Sequence, residues 1–264
     1  MSLATRLVTL LCSLWLLGLG GCATVPAGTT VASPAAAADP FERWNRKVFA
    51  FNEAVDEAVL KPVARVYRDV VPELVRTGVS NVFGNIADVW STVNHLLQGK
   101  LQTGVEMGMR VLTNTIFGLG GMLDPASEMR LVKRPEDLGQ TLGAWGVGTG
   151  AYLVLPIFGP STVRDAVGLP FDRYATAPSL VIHESVYALT ALQLASVRAE
   201  LLSTTKLLDD VSLDKYSFVR EAYLARRLDQ VYDGAPPMEK FDDDPGDAPA
   251  PAPAPAAAAS APKR

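Results

Sequence analysis

Two shortages narrow what this chain can be. Cysteine occurs twice, as Cys12 and Cys22, and histidine twice, as His95 and His183. Neither histidine stands in an H-E-x-x-H pair, so no zinc site is expected, and no metal or other cofactor. Adjacent residues on a helix point apart, so His183-Glu184-Ser185 does not read as a hydrolase relay. A G-x-S-x-G elbow is missing, because Gly159-Pro160-Ser161 is followed by Thr162 and Val163, and no catalytic residue is assigned. Gly99-Lys100 lacks the Ser or Thr and the upstream glycine of a phosphate loop. Gly146, Gly148 and Gly150 lead into Ala151 where a dinucleotide fingerprint needs a later glycine. Basic surplus is absent too, since 24 lysines and arginines face 28 acids, which argues against nucleic acid as a partner. No apolar run reaches the roughly 20 residues a spanning helix requires.

What is present begins at the N-terminus. Arg6, an apolar stretch from Leu7 to Leu19, then Gly20-Gly21-Cys22 form a charged region, a short hydrophobic region and a small-residue cleavage site. Residues 1–21 are therefore expected to be a signal peptide. Leu19-Gly20-Gly21-Cys22 fits the bacterial lipobox, in which the cysteine is acylated and becomes the new N-terminus. Cys12 leaves with the signal, so no disulfide can form within the mature chain, although the cell envelope would permit one. Ala23, rather than Asp, follows the cysteine, and that favours export to the outer membrane. Losing Arg6 leaves 23 cations against 28 acids, a net charge of −5. The mean hydropathy of +0.17 hints at apolar surface that faces lipid.

Residues 22–38 are uncharged and rich in Ala, Thr, Val, Pro and Gly, and are expected to form a lipidated tether. From residue 234 to 264 the chain is Pro-Pro, an acidic cluster (Asp242, Asp243, Asp244, Asp247) and Ala-Pro repeats, a composition that reads as a disordered tail. One domain, residues 39–233, lies between. Its periodicity is helical. Trp44, Val48, Phe51, Val55 and Val59 mark one helix face, expected to start at Asp39-Pro40 and stop at Lys61-Pro62. Val75, Val79, Val82, Ile86, Val89, Val93 and Leu96 mark a second, from Pro72 to Gly99, with room for a kink at Gly84. Leu101, Val105, Met109, Leu112 and Ile116 mark a third. Two more helices are expected over Ser179–Asp210 and Ser212–Tyr232, and Ser161 is read as the cap of a short helix through Arg164 and Asp165. Strand signals are weak. Gly104 and Gly108 form a G-x-x-x-G whose close helix approach suits either lipid or a soluble core. Phe117 to Pro125 is apolar and glycine-rich without a face pattern, as is Ala151 to Phe158. Membrane contact through such short runs would be monotopic, within one leaflet.

Ordered motifs then carry a resemblance. Asp39-Pro-Phe-Glu-Arg-Trp-Asn45, Phe51-Asn52, Arg68-Asp-Val-Val-Pro72, Ser80-Asn81-Val-Phe-Gly84-Asn85 and Val93-Asn94 come first. Leu97-Gln-Gly99, Asn114-Thr-Ile-Phe-Gly118-Leu-Gly120-Gly121, Gly139-Gln-Thr141-Leu-Gly143, Gly159-Pro-Ser-Thr-Val-Arg164-Asp165 and Val219-Arg-Glu-Ala-Tyr223 follow. Together they resemble the MlaA (VacJ) outer-membrane lipoproteins across the whole ordered domain. The resemblance implies an all-α, ring-like body lying in the inner leaflet of the outer membrane, facing the periplasm and pierced by an amphipathic channel. Its implied partners are phospholipid, a trimeric outer-membrane porin and a periplasmic lipid-carrier protein. Its implied work is removal of mislocalised phospholipid from the outer leaflet, with no enzymatic step. A hydrophobic hairpin near the channel corresponds to Phe117, Gly118, Gly120, Gly121, Met122, Leu123 and Asp124. Phe51 and Asn52 are implied to matter for the channel's resting state. Asn81, Asn85, Asn94 and Asn114 either line such a passage or serve as caps and buried hydrogen-bonding groups. The rival reading is a lipoprotein that braces a porin without moving lipid.

Overall fold

The computed structural model describes residues 39–177 and 186–236. Cys22, the tether, residues 237–264 of the tail and the His183-Glu184-Ser185 triplet lie outside them.

The described chain is mostly helical. Helix α1 (Glu42–Val55) runs through a π-helical segment (Asp56–Leu60) into α2 (Lys61–Val70). The helix thus continues past Lys61-Pro62, against expectation. Pro62 comes just after the π segment, whose wide turn accommodates a ring that has no N–H to donate to the turn before it. Nor does Asp39 cap α1. Phe41 holds the cap position, while Asp39 is buried and accepts from Asn45 Nδ2 at 2.8 Å and from the Tyr216 hydroxyl. Helices α3 (Glu73–Leu97) and α4 (Leu101–Phe117) follow, and α3 is continuous through Gly84. Between them Gly99, at φ 75°, makes the left-handed turn that ends α3. Short α5 (Pro125–Glu128) and α6 (Leu138–Ala144) come next.

A two-stranded antiparallel hairpin, β1 (Tyr152–Leu155) and β2 (Gly159–Thr162), occupies the stretch where strand signals are weak. Its register pairs Tyr152 with Thr162 and Leu155 with Gly159. Helix α7 (Val163–Ala175) starts from it, capped by the Thr162 side chain accepting from Asp165 N, one residue beyond the expected Ser161. The long helix expected to Asp210 is two, α8 (Val186–Glu200) and α9 (Leu202–Val211), broken at Leu201. Helix α10 (Lys215–Val231), capped by Asp214, ends the body.

The apolar core is small and divided. Val48, Tyr152, Val154 and Tyr216 join α1, the hairpin and α10, with Tyr152 edge-on to Tyr216 and Tyr223. Ala64, Ala199 and Leu202 join α2, α8 and α9. Helices α3 and α4 pack antiparallel, and Gly104 explains how closely. A Cβ on Gly104 would fall 2.8 Å from Leu96 Cδ2, whereas one on Gly108 would meet Thr92 Cγ2 at 3.6 Å, an ordinary contact. No described helix is long and apolar enough to cross a membrane.

Candidate functional site

The apolar stripe of α4 and the two ends of the α3 stripe face outward, while Val79, Val82 and Ile86 between those ends are half-buried. Val75, Val89, Val93 and Leu96 on α3 are exposed, as are Leu101, Val105, Met109, Leu112 and Ile116 on α4. The residues these helices bury are polar: Asn85, Asp88, Ser91, Asn94 and His95 on α3, and Arg110, Thr113 and Asn114 on α4. In water this is the wrong way round, since a fully buried Val or Leu side chain is worth about 1.5–3 kcal/mol. It is sound where the surroundings are hydrocarbon and the interior is wet or hydrogen-bonded.

Inside, most of the polar groups bond one another. Arg110 donates from Nε to Asp88 at 3.2 Å, from Nη1 to Ser127 Oγ and the Leu131 carbonyl, and from Nη2 to Asp124 at 2.6 Å. Asn114 donates to Asp124 Oδ1 at 2.9 Å and accepts from Ala126 N. Asp124 also caps α5 by accepting from Ser127 N. Burial opposes ionisation of Asp124, but the bonds from Ser127, Asn114 and Arg110 outweigh it and bring its pKa down to about 2.

The Phe117–Asp124 residues form a tight turn between α4 and α5. Leu119, Gly120 and Gly121 all have positive φ, and Gly120 N and Gly121 N donate back to Thr115 and Asn114 carbonyls. Gly118 has no alternative, because a Cβ there would lie 2.4 Å from Asn114 O and 2.5 Å from Leu123 O. With the backbone bonded inward, Phe117, Leu119, Met122 and Leu123 point out and are exposed. The turn is thus an apolar projection seated on a charged base.

Phe51 and Asn52 sit elsewhere, on α1 beside the β-hairpin. Asn52 Nδ2 donates to Leu155 O at 2.9 Å while its Oδ1 accepts from Ile157 N at 2.7 Å. One face back, Asn45 does the same, to Tyr152 O at 3.0 Å and from Val154 N at 2.8 Å. Two amides a heptad apart therefore clamp strand β1 onto α1. Phe51 is exposed. Of the four other asparagines, Asn94 is a buried hydrogen-bonding residue, donating to Trp90 O and accepting from Thr141. Asn81, Asn85 and Asn114 line a polar pocket of about 160 Å³.

A larger cavity, about 420 Å³, lies between α3, α6, the β-hairpin, α7 and α10. Its wall is mixed: Leu155, Phe158 and Leu169 with Asp172, Arg173 and Arg226. In the same wall Arg227 bridges Asp137 (2.7 Å) and Asp165 (2.8 Å), and Tyr223 donates to Asp165 at 2.8 Å. Burial opposes the charge on Asp165, yet the Arg227 bonds keep its pKa low. Asp172 goes the other way, raised by burial despite bonds from Trp90 and Leu138 N. Arg227, Asp137, Asp165 and Asp172 come from separate parts of the chain, and no pattern of apolar faces brings them together. On α3 the polar side is legible, because Asn81, Asn85 and Asp88 recur at helical spacing beside the stripe of Val75, Val89 and Val93.

The chain is similar to known proteins. The family model described as MlaA lipoprotein matches residues 37–230. An Escherichia coli protein called "Intermembrane phospholipid transport system lipoprotein MlaA" is 38% identical over 192 residues, 71% of this chain and 76% of that one. A Haemophilus influenzae protein of the same name is 32% identical over 208 residues, 74% and 80% of the two chains. A solved structure from work on "Structural basis for maintenance of bacterial outer membrane lipid asymmetry" superposes with a TM-score of 0.62. It is 35% identical and covers 73% of this chain and 98% of that one.

Proposed function

The chain belongs to the MlaA lipoprotein family, and from that premise we propose that it conducts phospholipid between the outer membrane and the periplasm and so maintains lipid asymmetry. The observation that carries the proposal is the inverted amphipathicity of α3 and α4, apolar outside and charged within. Two acyl chains hold roughly 30 CH₂ groups, each about 0.8 kcal/mol to expose, so release into water costs on the order of 20 kcal/mol. A conduit avoids that cost by keeping tails in apolar surroundings while the headgroup travels through polar ones. The exposed stripes supply the first setting. The mixed-walled cavity of about 420 Å³ supports the second, with Arg173 and Arg226 available to a phosphate. No bond in the lipid need be made or broken, so the work is transport and not catalysis.

Finer elements of the reading belong to the same proposal. The mature chain is anchored through an acylated Cys22 and a tether ending at residue 38, and its body, residues 39–233, lies in the periplasm-facing leaflet beside a trimeric porin. A soluble carrier receives the lipid. Phe117–Asp124 is the apolar projection that faces the passage, and Phe51 and Asn52 hold the wall formed by the β-hairpin. Deleting the gene and labelling outer-leaflet phospholipid tests the whole. We expect outer-leaflet phospholipid to rise and to fall again on complementation; unchanged levels would refute transport.

A further inference from the structure

The structure holds a second lipid-sized feature, away from the 420 Å³ cavity. A wholly apolar cleft of about 380 Å³ runs between α3 and α8, lined among others by Val75, Gly78, Val82, Met122, Leu189 and Leu192. The polar pocket of about 160 Å³ lies on the adjoining face of α3, lined by Ser80, Asn81, Asn85, Asp88, Asp124 and Lys133. Met122 is the border between them. Its side chain lines the cleft, packed where a Cβ on Gly78 would come 2.9 Å from its Cγ, while its carbonyl accepts from Asn81 Nδ2 at 3.0 Å.

Two groups in the polar pocket are incompletely used. Asn85 is 8% exposed, and its Nδ2 donates to Thr115, yet its Oδ1 is buried with no donor. Such an acceptor is costly to leave empty. Lys133 Nζ stands 3.0 Å from Asp88 Oδ1, over Gly84, where any Cβ would approach it to 2.9 Å. An ammonium has three N–H donors and Asp88 faces one side of it, so Lys133, half open to the outside, has donors to spare. Arg110, by contrast, is spent on Asp88, Ser127, Leu131 and Asp124.

We propose that cleft and pocket form one phospholipid-binding site, with a tail in the α3–α8 cleft, the phosphate on Lys133 and an N–H or O–H of the headgroup on Asn85 Oδ1. The occupant is a membrane phospholipid because a charged pocket and a wall with almost no polar surface meet at Met122, the match of an amphiphile and not of a soluble anion. A headgroup carrying a hydrogen-bond donor, such as ethanolamine, completes Asn85; a quaternary choline has none to give. The inference rests on the transport reading for why a lipid should be held at all.

The test uses the full lipidated chain in bilayer nanodiscs containing either phosphatidylethanolamine or phosphatidylcholine with a photoactivatable acyl chain. Labelling of the peptide bearing Met122 is compared with that of Met109, which lies on the exposed α4 stripe. We expect an ethanolamine preference of about tenfold at Met122, the worth of one charge-assisted bond, and none at Met109. Asn85→Leu should erase the preference, whereas Lys133→Met should weaken Met122 labelling by both lipids and Lys133→Arg should restore it. Equal labelling by the two lipids at Met122, an unchanged preference in Asn85→Leu, or unchanged Met122 labelling in Lys133→Met overturns the proposal. So does loss of the preference on adding inorganic phosphate, which would give the pocket to a soluble anion. If the site labels as expected while gene deletion leaves outer-leaflet phospholipid unchanged, the site stands and the transport reading falls.

Discussion

If the outward stripe of α4 is a lipid-facing surface, polar substitutions there should weaken membrane binding and leave the fold intact. Val105, Met109 and Leu112 are 62%, 50% and 54% exposed, so each leaves roughly half its area for lipid to cover. At about 1.5–3 kcal/mol for a whole side chain, each contributes about 0.8–1.6 kcal/mol to partition, and the three together about 2.5–5 kcal/mol. Replacing all three with Gln, a good helix former, should therefore lower vesicle partition by about 60- to 4,000-fold. The assay is flotation of the unacylated mature chain against increasing concentrations of outer-membrane phospholipid vesicles, which removes the acyl anchor from the balance. Melting in detergent reports the fold. A partition loss smaller than about threefold would refute the reasoning. So would a triple variant that unfolds in detergent, because it would show that the stripe is packed against protein.

Three further expectations follow from the interior. Arg110→Met leaves Asp88 and Asp124 without their main partner and should destabilise the body by about 3–5 kcal/mol, read from denaturant melts in detergent. Asp124 has a folded pKa of about 2 against an ordinary 3.8, so the stability it lends is full above pH 4 and disappears as the pH falls through 2. Amide exchange at Ala126 and Ser127 should quicken over that interval, and Asp124→Asn should flatten the response. Gly118→Ala must push apart the Asn114 and Leu123 carbonyls, which should cost roughly 1–3 kcal/mol. An unshifted melt for that variant would show that the turn has another conformation open to it.

Much of the helical scaffold was legible because apolar side chains recur at helical spacing. The second stripe, from Val75 to Leu96, and the third, from Leu101 to Ile116, coincide with α3 and α4, and Gly99 separates them as its conformational freedom suggests. Periodicity locates a face but not what the face meets. Nothing in the spacing of Val105 and Met109 says that they look outward, and only the burial of Arg110 and Asn114 decides it. The β-hairpin was hidden for a different reason. Its strands are short, and β1 is held by Asn45 and Asn52, more than a hundred residues earlier in the chain, an interaction that no local pattern records. The turn around Gly118, Gly120 and Gly121 was visible as a cluster of glycines, whereas its charged base of Asp88, Arg110 and Asp124 comes from three separate elements.

The π-helical stretch from Asp56 to Leu60 has an angular consequence. In effect one additional residue is looped into an α-helix there, and each residue of an α-helix turns the chain by about 100°. Everything from Lys61 onward is consequently rotated relative to the helix before it. That twist lets a single continuous rod show Val48 to the tyrosine cluster at one end and Ala64 to Ala199 and Leu202 at the other. Asp56, gripped by Arg198 through two bonds of 2.5 and 2.7 Å, fixes the point at which the rotation occurs. Winding the same residues as a plain α-helix would turn Ala64 by about 100° out of its seat, so the two small cores would lose their common axle.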